Sequence, residues 1–234
     1  MIAMKPPGVS IVIPARNGSD LVAQCVKALS HNDAEIIVID DASPNPLLLP
    51  DRVRIIRHEE SLGPAAARNT GLHAATNDLV LILEDDIVAA PDMIARLLDE
   101  YAQIGDPKVA LVGRVVWHPE VPLTLTMKWL QEAGPFGDIG SECSGPLQNL
   151  LCENSLLWRP FVLEHGGFDE KFTHFGLEDI ELGLRLKKHG LQVQHVASAV
   201  GYRLKPVWVR DLVHREIAEG LSAVYLHSKF PDYL

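Results

Sequence analysis

Positive charge is scarce in this chain: 21 lysines and arginines face 31 aspartates and glutamates, a formal charge of −10 over 234 residues. A phosphate backbone demands a basic footprint, so nucleic acid is excluded as the main partner. A metal or local arginines can still reverse the field for one small anionic ligand. Cysteine is equally sparse. Cys25, Cys143 and Cys152 are scattered, odd in number and without metal-ligand spacing, which suits reduced thiols in a cytoplasmic protein. No apolar run reaches the roughly 18 residues of a spanning helix, and Met1 to Gly8 lacks the apolar core of a signal peptide. Three signatures are absent as well. No Gly-x-Gly-x-x-Gly follows the first strand-like run, against a dinucleotide oxidoreductase. No Gly-Lys-Ser/Thr occurs, against a phosphate-loop hydrolase, and no Gly-x-Ser-x-Gly elbow for a serine nucleophile.

What is present is a packed globular composition, 47% hydrophobic, with alternating strand and helix signals. Val9 to Pro14, Glu35 to Asp41, Val53 to Arg57, Leu79 to Leu83 and Val109 to Gly113 are apolar, largely β-branched strands. Between them the spacing predicts helices over Ser19 to Leu29, with Ser19 as cap, over Pro64 to Ala75, and over Pro91 to Gln103, with proline in its first turn. Apolar strands separated by helices of about 10–15 residues imply a parallel sheet covered on both faces. From Trp117 to Asn149 prolines and glycines mark an irregular region with one helical piece near Leu123 to Glu132, the pattern of a lid or binding loop or else of a disordered stretch. Regularity returns at Glu153 to Trp158, and Pro160 to His165 gives a helix stopped by Gly166-Gly167. Glu178 to His189 carries acids first and bases last, the order a helix macrodipole favours, and Gly190 can end it. The alternation of Ile180, Leu182, Leu184 and Leu186 keeps a strand as rival there. Leu191 to Val200 is a further strand. Val209, Leu212, Val213, Ile217, Leu221 and Val224 form the stripe of a C-terminal amphipathic helix, expected to dock on the core.

The chemistry concentrates at strand ends. Leu79 to Leu83 delivers Glu84, Asp85 and Asp86 in succession. Three adjacent anions repel one another unless a cation or donors compensate, and a hard divalent ion that also accepts phosphate oxygens is the natural compensator. Asn17, Asp40 and Asp41 follow two other strands, and Glu178-Asp179 opens a helix. In a parallel sheet such ends converge on one edge, where α/β sheets bind ligands.

These residues carry a resemblance. Val9 to Asn17 (VSIVIPARN), Val38 to Ser43 (VIDDAS), Leu62 to Gly71 (LGPAAARNTG), Leu83 to Asp92 (LEDDIVAAPD), Gly166 to Glu170 (GGFDE) and Gly176 to Leu186 (GLEDIELGLRL) stand in the order and spacing of family 2 glycosyltransferases. The match covers roughly residues 8 to 203. It implies a GT-A fold: a Rossmann-like α/β domain with a mostly parallel sheet flanked by helices, here followed by the C-terminal amphipathic helix. A single domain, 1–234, would comprise a nucleotide-binding half (8–116), an acceptor-binding and catalytic half (117–203) and a helical extension (204–234).

The resemblance also implies roles. Pro14, Ala15, Asn17, Asp40 and Asp41 would hold the nucleotide, and Arg68 would reach its base or phosphate. Glu84-Asp85-Asp86 stands for the family's Asp-x-Asp motif. Asp86 would contact a Mn²⁺ or Mg²⁺ on the two phosphates, Glu84 would lie at the metal and Asp85 near the donor ribose or sugar. Asp179, with Glu178 beside it, would be the general base of an inverting transfer, and Asn154 would bond the donor or fix a loop. Trp129 and Phe136 are acceptor candidates. Many relatives carry a histidine after the last strand that can complete the metal site; here Arg203 stands there, able to pair with phosphate and replace part of the metal's role, which implies weak or absent metal dependence. The implied partners are a nucleotide-sugar donor, a UDP-sugar first, and a glycan or lipid-linked acceptor, with peripheral membrane contact through Arg203, Lys205, Arg210 and Arg215 as a further option. Donor base, sugar, acceptor and oligomeric state stay open. A non-catalytic sugar-nucleotide binder or assembly subunit is the alternative, motivated by Glu84 and the missing histidine; a metal-dependent nucleotidyl- or phosphotransferase is a third.

Overall fold

The computed structural model describes residues 8–31, 33–133, 153–173 and 176–233. Cys143, Cys152, Phe136 and the proline- and glycine-rich stretch 134–149 lie outside them. Along the chain run β1 (Val9–Ala15), α1 (Ser19–Ala28), β2 (Glu35–Asp40), β3 (Val53–Arg57), α2 (Pro64–Ala74), β4 (Leu79–Leu83), β5 (Ile87–Ala89) and α3 (Met93–Ile104). The second half adds β6 (Val109–Trp117), α4 (Leu125–Ala133), β7 (Asn154–Trp158), α5 (Arg159–Glu164), α6 (Glu178–Lys187), β8 (Gln192–Arg203) and α7 (Val209–Lys229).

Among the described residues eight strands form one sheet in the order β3-β2-β1-β4-β7-β6-β8-β5. β3, β2, β1 and β4 are parallel to one another, as are β6 and β8, whereas β7 runs antiparallel to β4 and β6, and β5 antiparallel to β8. The expected parallel sheet is thus mixed. The reversal of β7 matters, because it puts the start of that strand at the same edge as the end of β4. The register Leu83↔Asn154 sets Glu153 beside Glu84, whose N–H donates to the Glu153 carbonyl at 3.2 Å. β8 ends at that edge too, with Arg203 opposite both Trp117 of β6 and Ile87 of β5.

Successive strand residues face opposite ways, so each central strand feeds two cores. Ile11, Ile13, Leu81, Leu83 and Leu111 pack with Val22 and Val26 of α1 and Met93 and Leu97 of α3. Val12, Ile37, Ile39, Val80 and Ile82 pack with Leu72 of α2, Phe161 of α5 and Leu182 and Leu186 of α6. The last pair is spaced i, i+4 on one helix face, and this burial decides for helix over the strand that the leucine alternation suggested. Met127, Leu130 and Val207 form a third, small cluster with partly buried Leu212, joining α4 to α7.

Several expectations shift. Gly18, not Ser19, is the cap of α1, and Pro91 precedes α3, which starts after Asp92. β6 and β8 run on to Trp117 and Arg203 because each pairs along its extra length, past a register shift at Gly113/Arg114. The stripe of α7 does not dock as expected. Val209, Val213, Ile217, Leu221 and Val224 are all more than half exposed, and the helix is held from its other side by Leu226, Ser222 and the bonds of Tyr225 and Lys229 to Asp169. Among the described residues no helix is long and apolar enough to cross a membrane.

α2 lies close to β1 because Gly71 has no side chain: a Cβ there would stand 2.1 Å from Val12 Cγ1. Gly71→Ala is expected to cost about 1–3 kcal/mol through overpacking, despite alanine's better helix propensity. Urea denaturation of the two proteins checks this.

Candidate active site

The strand ends enclose a cavity of about 1360 Å³, bounded by the turns after β1, β2 and β4, by α2, by the start of α6 and by α4 and α7. Pro14, Ala15, Asp41, Arg68, Glu84, Asp85, Asp86, Glu178, Asp179 and Arg203 all line it. Asn17, Asp40 and Asn154 do not.

At one end, Asp41 is the most heavily bonded carboxylate in the site. Oδ1 accepts from His58 Nδ1 and Leu62 N, both at 2.8 Å, and Oδ2 from Ser61 Oγ at 2.7 Å and Gly63 N at 3.1 Å. Burial opposes its ionisation, but the bonds from His58, Leu62, Ser61 and Gly63 outweigh that and hold it below the usual carboxylate range. Its neighbour Asp40, last residue of β2, faces away. It pairs with Arg57 and accepts from Ser43 N at 2.9 Å, which fixes the turn. The same turn reaches Asn17, whose N–H donates to Ser43 Oγ at 3.1 Å and whose φ of 62° lies in the left-handed region. Asp40 and Asn17 therefore shape the wall that Asp41, Pro14 and Ala15 present.

In the middle, two buried arginines divide the acids. Arg68, 3% exposed on α2, places Nη1 2.5 Å from Glu178 Oε1 and Nη2 3.2 Å from Glu84 Oε1, with the ring of Phe168 5.5 Å from its guanidinium carbon. Arg203 lies 2.8 Å from Glu153 Oε1 and 3.7 Å from Asp86 Oδ2. Burial works against the charge of Arg203, but Glu153, Asp86 and Glu84 outweigh it and raise its pKa, so it stays protonated. Burial, joined by Glu153 and Asp86, pushes Glu84 up to about 7 against the pull of Arg68 and Arg203. Burial and Asp86 push Asp85 up to about 6, with Lys205 opposing. Even with both arginines in place the cluster carries more negative charge than it comfortably holds.

At the other end α6 begins after Gly176 and Leu177, both with positive φ (93° and 70°). Leu177 is the cap residue, and among the described residues no side-chain hydrogen bond is made at that cap. Glu178 is committed to Arg68. Asp179 accepts from Ile180 N at 2.8 Å, and burial together with Glu178 pushes its pKa to about 7, against Arg68.

Asn154 is fully buried where β7 meets β4. Its Nδ2 donates to Ala199 O at 3.3 Å and lies 3.4 Å from Met93 Sδ, so it ties strands together behind the cavity. Trp129, 54% exposed, lines the mouth. Glu153 and His58 were not singled out from sequence. His58 follows β3 without a motif of its own, and Glu153 becomes visible only once β7 is known to run antiparallel to β4.

A divalent ion fits the cluster by one observation in particular. Asp86 is 7% exposed, and its Oδ1 is buried with no hydrogen-bond partner among the described residues. An orphaned buried carboxylate oxygen is costly unless a cation or donor completes it. Among the described residues no three His, Cys, Asp or Glu side chains are already gathered to hold an ion; one carboxylate supplemented by substrate phosphates is the arrangement that magnesium-type sites use.

The sequence profile described as glycosyl transferase family 2 matches residues 10–160, and one described as the N-terminal domain of galactosyltransferase matches 146–206. The chain belongs to glycosyl transferase family 2. This family 2 member is 31% identical over 239 residues to the pre-mycofactocin glycosyltransferase of Mycobacterium tuberculosis, covering 96% of this chain and 48% of that one. It is 27% identical to the chondroitin synthase of Escherichia coli, covering 97% of this chain and 39% of that one. It thus spans half or less of those relatives' lengths. Two solved structures share the fold: a mannosyltransferase of Pyrobaculum calidifontis in complex with GDP-Man and Mn²⁺ (TM-score 0.61, 18% identity, covering 95% of this chain and 65% of that one), and GalNAc-T7 with UDP, GalNAc and Mn²⁺ (TM-score 0.63, 18% identity, 87% and 45%). The GT-A architecture expected from the motifs is the one observed.

Removing Arg68 would leave Glu178 buried without its counter-ion. Arg68→Met is expected to cost about 3–5 kcal/mol, and adding Glu178→Gln should recover a large part of it. A double-mutant cycle in urea measures both.

Proposed function

We propose that the protein transfers a sugar from a nucleoside diphosphate donor, a UDP-sugar first among them, to an acceptor hydroxyl with inversion at the anomeric carbon. The observation that supports this most is that Asp41, Asp86 and Asp179, distant in sequence, line one cavity. The nucleoside lies against Pro14, Ala15 and Asp41. Pre-bonded by His58, Ser61 and two backbone N–H groups, which fill its acceptor sites, Asp41 stays anionic and holds the Ser61–Gly63 turn against the nucleoside. The diphosphate lies over Asp86, which would hold a Mn²⁺ or Mg²⁺ with it; that ion supplies Lewis-acid charge to the departing oxygens. Asp85 is left facing the donor's ribose or sugar, and Arg68 and Glu84 act as an internal pair that braces the acids.

Asp179 takes the acceptor proton. The bond from acceptor oxygen to anomeric carbon forms as the bond from that carbon to the diphosphate breaks; the electron pair leaves with the diphosphate and the hydroxyl proton passes to Asp179. A base poised near neutrality suits this task, and burial beside Glu178 provides it. Arg68 pairs with Glu178 Oε1, so of these two neighbours Asp179 is the base. The acceptor, a glycan or lipid-linked glycan, enters between α4 and α7, over half-exposed Trp129. There the apolar stripe of α7, with Arg210 beside it, is the surface on which contact with a membrane would fall.

With Asp179 as base, kcat/KM should fall about tenfold per pH unit below about 7, as the carboxylate is protonated, and level off above it. Asp179→Asn should lower turnover by about 10²–10⁴-fold and abolish that limb while UDP or GDP binding persists. Nucleotide binding without turnover by the unaltered protein, across a donor panel, would return it to a non-catalytic binding subunit.

A further inference from the structure

Arg203 owes its place to the sheet. β8 pairs antiparallel with β5, so Arg203 stands opposite Ile87, the residue after Asp86, and the next residue, Leu204, donates its N–H to the Asp86 carbonyl at 2.9 Å. Glu153 comes from the other side, at the start of β7. The guanidinium lies between the two acids, 2.8 Å from Glu153 and 3.7 Å from Asp86, with the Trp117 ring 5.9 Å from its central carbon and only 4% of the residue exposed. Two carboxylates that a divalent ion could share are thus shared by a side chain that is always charged and cannot ligate a metal.

The consequence is competition. An ion approaching Asp86 by itself meets a fixed positive charge in a poorly solvated space, and the only Asp86 oxygen without a partner is Oδ1. A diphosphate changes the balance twice over. It brings oxygens that complete an ion's shell, and it offers the guanidinium a second planar anion to pair with. We propose that Arg203 is a built-in counter-cation that keeps Asp86 and Glu153 from gathering a divalent ion until a nucleoside diphosphate arrives, so that ion and donor bind as a coupled pair. This rests on the donor reading given above. Because coupling is reciprocal, the factor by which the nucleotide tightens the ion equals the factor by which the ion tightens the nucleotide.

The test is binding, not turnover. Mn²⁺ affinity of the full chain is measured by electron paramagnetic resonance without nucleotide, and UDP and GDP affinities by calorimetry with and without Mn²⁺. For the unaltered protein we expect weak binding of Mn²⁺ alone and a tightening of at least tenfold of UDP or GDP by Mn²⁺. Arg203→His removes the fixed charge and adds a possible ligand, so Mn²⁺ alone should bind at least tenfold more tightly and the coupling factor should shrink; Arg203→Lys, which keeps the charge, should stay weak. Circular dichroism establishes that the variants are folded, and the unaltered protein's own coupling factor decides the matter if they are not. UDP or GDP binding that is indifferent to Mn²⁺, or a folded Arg203→His with unchanged affinity for Mn²⁺ alone, overturns the inference and leaves the donor reading standing. Failure of both nucleotides to bind with or without Mn²⁺ overturns that reading, and this inference with it.

Discussion

Carboxylates brought to one sheet edge repel one another, and the rest of the site is arranged around that repulsion. Glu84, Asp85, Asp86, Glu153, Glu178 and Asp179 share the cavity with two buried guanidiniums, Arg68 and Arg203. Each arginine bridges acids from different strand or helix ends, so charge balance doubles as tertiary structure. Arg68 ties α2 to the β4 turn and to the start of α6; Arg203 ties the end of β8 to the β4 turn and to the start of β7. Buried ion pairs of this kind contribute little net stability over an apolar equivalent, but each half is strongly destabilising without the other. They hold geometry and leave stability to the two cores on either side of the sheet.

Neighbouring acids divide the labour because successive side chains leave the backbone in different directions. Asp40 ends β2 and is drawn to Arg57 at the sheet's edge, whereas Asp41, one residue on, turns into the cavity. Glu178 and Asp179 separate likewise: one is neutralised by Arg68, the other is left to be lifted in pKa by its neighbour and by burial. Adjacent carboxylates with environments that push them apart are how one site obtains both a fixed anion and a proton acceptor.

The parallel half of the sheet was legible because buried parallel strands read as largely apolar runs, as β1, β2 and β4 do, while edge strand β3 is interrupted by Arg54 and Arg57. The helix ends blurred by a residue or two, as at Ser19 and Pro91. What local pattern does not carry is direction and partnership. Nothing in Asn154–Trp158 says that it runs antiparallel to β4, and three-residue β5 is too short to have a period. The meeting of Glu153 with Arg203, and the withdrawal of Asn154 behind the wall, depend on that topology. The α7 stripe shows the same limit from the other side: period 3.6 identifies a face but not whether anything covers it, and here that face is turned to solvent.

Arg203 joins these threads. An arginine at the end of a sheet strand is ordinarily a surface residue, and the family's histidine there would be a metal ligand. The antiparallel pairing of β5 with β8 removes the first option by enclosing the side chain, and the chemistry of guanidinium removes the second. What remains is a permanent positive charge beside Asp86, whose Oδ1 has no hydrogen-bond partner among the described residues. A diphosphate bound at this edge would meet Lys205 as well as the acids' own partners, and of the two buried guanidiniums Arg203, beside Asp86, is the one placed to exchange a carboxylate for a phosphate. Arg68 cannot follow it, because releasing Glu178 would remove the brace beside Asp179.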